Sequence, residues 1–133
     1  MHIGEVADAV GLPLRTIRLY DEAGVVPPSQ RSEDGTGLYS DTDVERLRFV
    51  KRLRPLDLSL EEVSEVVDAL DELGEDATAA ERRRELVEQL AQVAATGEER
   101  ATQLREQLAI VESVTGELRE AVLRGRRPAA TSS

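Results

Sequence analysis

From Thr78 to about Leu123 the chain is built from helix formers without a proline, and an apolar series steps through it at Leu90, Val93, Gly97, Ala101, Leu104, Leu108, Val111, Thr115, Leu118 and Val122. The steps alternate three and four except for two successive fours at Gly97, which reads as a stutter or kink. No second hydrophobic face of the chain is matched to a stripe this long, so it calls for a partner helix. A symmetric dimer is the simplest supplier. Thr78 to Glu81 has the pattern of a capping box opening this helix.

The 133 residues leave room for one small domain besides that helix. Seventeen Leu and only three aromatics, Tyr20, Tyr39 and Phe49, suit a helical protein better than a β-sandwich. With no cysteine, disulfides, thiolate metal sites, iron–sulfur clusters and cysteine nucleophiles are excluded together. No stretch approaches the roughly 20 apolar residues of a membrane span and no signal-peptide layout opens the chain, so a cytoplasmic protein without membrane partners is expected.

A net charge of −10 speaks against nucleic acid until its distribution is considered. Residues 58–80 hold eight acids and no base, while residues 1–57 carry eight Lys/Arg against ten acids. Local potential governs phosphate binding more than total charge, so DNA stays open as a partner.

Ile3, Val6, Ala7 and Val10 have helical spacing, with Gly11 as the stop. Pro13 starts a second helix that ends near Ala23, with Gly24 as its left-handed cap. Two short helices joined by a glycine-containing turn have helix-turn-helix dimensions. Pro27 and Pro28 then forbid a helix, and the turn at Asp34-Gly35-Thr36-Gly37 joins two short strands. Ser40 to Asp43 caps a third helix over 41–54, ended by Pro55. Ser59 to Glu62 is a capping box opening a fourth, whose Leu60, Val63, Val67 and Leu70 form one face. The expected units are 1–76, a dimerisation helix over 77–124 and a disordered tail over 125–133.

On the second helix, Leu14, Ile17 and Asp21 share one side while Arg15, Thr16, Arg18 and Leu19 cover the other. An Arg fork suits guanine edges or phosphate, and Thr or Leu suits a thymine methyl. The third helix gathers Arg46, Arg48, Lys51, Arg52 and Arg54, a candidate phosphate-contacting surface.

The order of these motifs resembles the MerR family of transcriptional regulators. The resemblance spans residues 2–73. It is carried by Thr16-Ile17-Arg18-x-Tyr20, by Arg31, Gly35 and Tyr39-Ser40, by Asp43-Val44 with Arg46-Leu47, and by Leu60-Glu61-Glu62. It implies a mainly α fold, a winged helix-turn-helix with a small two-stranded wing followed by a long C-terminal antiparallel coiled-coil helix. It also implies a non-enzymatic DNA-binding regulator without a cofactor. Such a protein acts as a homodimer on double-stranded promoter DNA and reaches RNA polymerase only through the promoter, by bending and untwisting its spacer. Carried over, Arg15, Thr16, Arg18, Leu19 and Tyr20 are DNA contacts of the recognition helix, Arg31 and Tyr39 contacts of the wing, and Arg54 a phosphate contact. Dimerisation falls to Leu90, Val93, Ala101, Leu104, Leu108, Val111, Leu118 and Val122.

Four positions depart from the family pattern. Thr36 and Gly37 stand where the wing usually continues Tyr-Arg, so a phosphate-contacting Arg is missing; one lost contact flattens the salt dependence by about one unit. Leu19 replaces an aromatic, and Asp57 stands where a turn glycine is common. The absence of cysteine excludes a thiolate-bound metal as effector and leaves the effector unassigned. A second reading keeps the fold as a coiled-coil interaction module with weak or no DNA binding that pairs with a related regulator. No nucleophile or phosphate-loop constellation supports an enzyme.

Overall fold

The computed structural model describes residues 1–128. Their element order is α1 (Ile3–Val10), α2 (Leu14–Glu22), β1 (Gln30–Arg31), β2 (Gly37–Leu38), α3 (Asp41–Leu53), a single 3₁₀ turn (Arg54–Leu56), α4 (Leu60–Leu73) and α5 (Ala80–Arg126). The chain divides into two units, Met1–Thr96 and the residues from Gly97 onward.

In the first unit, Val6 of α1, Ile17 of α2, Val26 of the segment after it, Leu47 and Val50 of α3 and Leu86 of α5 are almost wholly buried. The first five form a single core with Val10, Leu12, Tyr20, Tyr39 and the α4 residues Val63, Val66 and Val67. Gly11 closes α1 in the left-handed conformation (φ 76°, ψ 39°), its N–H donating to the Ala7 carbonyl at 2.9 Å. Such a φ is costly for a residue with a Cβ.

The second helix begins one residue later than expected. Pro13 is its N-cap, and the Pro13 carbonyl accepts from Thr16 N at 3.0 Å. The chain then turns through Gly24 (φ 71°), and Val25 N and Val26 N both return to the Tyr20 carbonyl.

The wing is an antiparallel pair in the register Gln30↔Leu38 and Arg31↔Gly37. Gly35 (φ 85°) lets Ser32 N reach the Thr36 carbonyl at 2.8 Å, while Gly35 N donates to the Ser32 carbonyl at 2.9 Å. This is the three-residue hairpin in which a turn is followed by a left-handed residue. Asp34 accepts from the Ser32 hydroxyl and from Thr36 N, and these bonds hold its carboxyl down at about 2. A third segment joins this ribbon: His2 bridges Leu38, and Tyr39 N donates to the Met1 carbonyl at 2.8 Å.

Both expected caps of α3 and α4 form as reciprocal boxes, Ser40 with Asp43 and Ser59 with Glu62. Asp57 takes the left-handed conformation (φ 59°) after the 3₁₀ turn that contains Pro55, as its replacement of a glycine requires. The box expected at Thr78–Glu81 does not form. The Thr78 hydroxyl instead donates to the Glu72 carbonyl at 2.6 Å, and α5 starts at Ala80. Arg83 bonds the Leu73 carbonyl, the last of α4, and the Glu75 carbonyl beyond it, a cation on the helix's C-terminal end.

The α5 helix runs to Arg126, two residues into the stretch expected to be tail, and residues 129–133 of that stretch lie outside the described residues. Its stripe also differs from expectation at its beginning. Leu86 is buried, and Leu90 and Val93 pack against the core of the first unit, where Leu58, Val66 and Val93 line one cleft. The stripe's first turns therefore have a receiver within the chain. In the second unit Leu104, Leu108, Val111, Leu118 and Val122 are exposed, and Ala101 is half-buried.

Candidate nucleic-acid interface

Burial of Ile17 and Tyr20 fixes which side of α2 faces outward. Arg15, Arg18 and Leu19 are exposed and Thr16 is half-buried beside them. Arg15 and Arg18 enter no ion pair among the described residues. Leu19 is 48% exposed, a large apolar side chain flanked by two guanidinium groups. The surface thus offers two forked donors, a hydroxyl and an apolar tip within about two helical turns, a set suited to the edges of base pairs.

Both tyrosines expected as contacts lie in the core. Tyr20 is 8% and Tyr39 4% exposed, so their rings serve packing. Burial pushes the Tyr39 phenol up from its ordinary value; the Asp21 charge adds to this and the Arg31 charge opposes it. Tyr20 stands three residues after Ile17, a spacing that puts both on one helical face and could have placed its ring in the core; the family resemblance assigned it to DNA instead.

The basic residues of α3 are mostly engaged within the protein. Arg46 pairs with Asp71 of α4 at 3.1 Å and lies 3.7 Å from Asp43. Arg48 pairs with Glu45 at 2.9 Å and reaches the Ala9 carbonyl at 3.5 Å. Lys51 Nζ donates to the Val10 carbonyl at 2.9 Å, a cation on the negative end of α1. Arg52 and Arg54 are exposed and enter no ion pair among the described residues. Of the five cations read as a phosphate-contacting surface, these two keep their donors for a ligand.

The wing's Arg31 donates from Nη2 to both oxygens of Asp21, at 2.8 and 3.1 Å. Position 37 has its own constraint. A Cβ there would lie 2.9 Å from Pro28 Cγ and 3.1 Å from Pro28 Cβ, so the absence of the wing's Arg goes with a proline packed where its stem would start.

Two groups escaped sequence reasoning. Asp43, expected only as part of the α3 cap with Ser40, is 2% exposed and also accepts from the backbone and hydroxyl of Ser29. Leu86 was left out of the apolar series although it stands four residues before Leu90, a spacing that could have found it.

The sequence profile of the MerR HTH family regulatory proteins matches residues 1–70, and that of the MerR DNA-binding region matches residues 44–111. The chain is 39% identical over 69 residues to the mercuric resistance operon regulatory protein of Bacillus cereus, covering 52% of each chain. It is 29% identical over 117 residues to the HTH-type transcriptional regulator CueR of Escherichia coli, covering 88% of this chain and 85% of CueR. The chain spans about half the length of the first curated relatives it matches. Among solved structures it is similar in fold to HiNmlR, a MerR family regulator lacking the sensor domain, bound to promoter DNA. The TM-score is 0.69 at 22% identity, over 93% of this chain and 94% of that one.

Proposed function

The chain belongs to the MerR HTH family of regulatory proteins, and from that premise we propose that it binds double-stranded promoter DNA as a homodimer and regulates transcription by bending and untwisting the promoter spacer. The observation that carries this reading is the outward face of α2, where Arg15 and Arg18 keep all their donors while other basic residues of the same unit are spent on internal partners. Arg15, Thr16 and Leu19 read base edges, Arg18 grips the backbone, and Arg54 contacts phosphate. RNA polymerase is reached through the promoter rather than by direct contact. The homodimer is supported by the exposed stripe at Leu104, Leu108, Val111, Leu118 and Val122, too much apolar surface to leave in water. An interaction module without DNA affinity leaves the two unpaired guanidinium groups of α2 without a role.

The test is fluorescence anisotropy on a duplex that the full chain recovers from a randomised pool, measured across salt concentrations. Arg15→Ala is expected to abolish selective binding, and Arg18→Ala to weaken binding on every sequence, both leaving the oligomer unchanged. Arg54→Ala is expected to weaken binding on every sequence and lower the salt slope by about one unit. Recovery of no duplex at low salt overturns the reading.

A further inference from the structure

Arg31 sits on β1 opposite Gly37, and its guanidinium joins three parts of the first unit. Nη2 is shared by both carboxylate oxygens of Asp21, in the last turn of α2, and Nη1 reaches the Gly35 carbonyl at the tip of the hairpin, at 3.5 Å. Tyr39 lies buried close enough to feel both charges. The ladder between β1 and β2 is only two residue pairs long, and a ribbon that short has little stability of its own. Among the described residues, backbone bonds tie β2 to Met1 and His2 but do not reach α2, and the Asp21–Arg31 pair is the ion pair that joins β1 to α2.

A phosphate contact at Arg31 would have to compete with the Asp21 carboxylate, which already holds the guanidinium through both oxygens. We propose that Arg31 is a positioning residue: clamped by Asp21, it sets the separation of wing and α2 at which both meet the duplex. This rests on the DNA-binding reading above. Arg31 is 52% exposed, so the pair matters little to global stability, and its effect is on the order of the wing.

Two measurements on the full chain decide it. The first is amide hydrogen exchange without DNA. Asp21→Asn and Arg31→Gln are each expected to speed exchange at Ser32 and Thr36, whose N–H groups close the hairpin, and to leave α4 unchanged. The exchanged pair, Asp21→Arg with Arg31→Asp, restores slow exchange. The second is anisotropy on the duplex recovered by the wild-type chain. Both single variants lose affinity by up to about fivefold, the scale of one half-exposed ion pair, with an unchanged salt slope, and the exchanged pair regains it. If Arg31→Gln alone lowers the slope by about one unit while Asp21→Asn tightens binding, Arg31 is a phosphate contact and the proposal is overturned. Wing exchange unmoved in both single variants overturns it equally. That arm reads out even if the wild-type chain binds no duplex, in which case the DNA-binding reading fails separately.

Discussion

The Asp43 carboxylate accepts both the backbone N–H of Ser29, at 2.9 Å, and the Ser29 hydroxyl, at 2.6 Å. The same oxygen accepts from Ser40 N at 2.9 Å, so one buried side chain ties the segment entering the wing to the start of α3.

Burial pushes the Asp43 carboxyl up, but the hydrogen bonds from Ser29 and Ser40 together outweigh it and leave it below the ordinary carboxylate value. The native group therefore titrates below its unfolded counterpart, near about 3.9. Its stabilisation is whole above that value and is lost as the pH falls through the native pKa. Asp43→Ala is expected to lower unfolding stability by about 2–3 kcal/mol at neutral pH, because three donors lose their acceptor. Urea unfolding across pH checks this. The gap between the wild type and Asp43→Asn should close as the medium becomes acid.

Restoring the wing's Arg by Gly37→Arg should not strengthen DNA binding by itself. The new Cβ meets Pro28 at 2.9 Å, and overpacking of this kind costs about 1–3 kcal/mol. Pro28→Ala in the same chain removes the Cγ contact and is expected to recover part of the lost stability and to expose the gain in salt slope. Thermal melts and anisotropy on the single and double variants measure both effects.

Leu86→Ala should destabilise the first unit by about 2–5 kcal/mol, since the side chain is 1% exposed. Leu104→Ala, on the same stripe but 40% exposed, should cost the folded monomer almost nothing. Chemical denaturation at protein concentrations low enough to dissociate a dimer separates the two.

A charge in the exposed part of the stripe should prevent self-association. Leu108→Glu is expected to sediment as a monomer with unchanged helix content and to bind DNA more weakly than wild type. A dimer persisting in that variant, and in Leu118→Glu, would count against self-association along this face.

Much of the fold could be read from residue spacing. Ile3 to Val10, the stop at Gly11 and the capping boxes at Ser40 and Ser59 are local signals, complete within a few residues. What spacing could not assign was the recipient of each group. Leu86, Leu90 and Val93 continue the same stripe as Leu104 and Leu108, and periodicity shows that they share a face without showing what covers it. The cations behave likewise. Lys51 and Arg54 look alike in a helix-forming run, yet one meets a carbonyl 41 positions away and the other meets none among the described residues. The outward set on α2 was legible because the apolar positions of a nine-residue helix leave few alternatives.

The bond from Lys51 to the Val10 carbonyl has a consequence for genetics. The ammonium closes α1 at the turn that leads into α2, and a Cβ on Gly11 would sit 2.9 Å from it. Substitutions at residues 11 and 51 should surface together in any screen for lost repression or activation, mimicking defects of the reading helix. Suppressors of one should map to the other, although neither side chain has to touch nucleic acid.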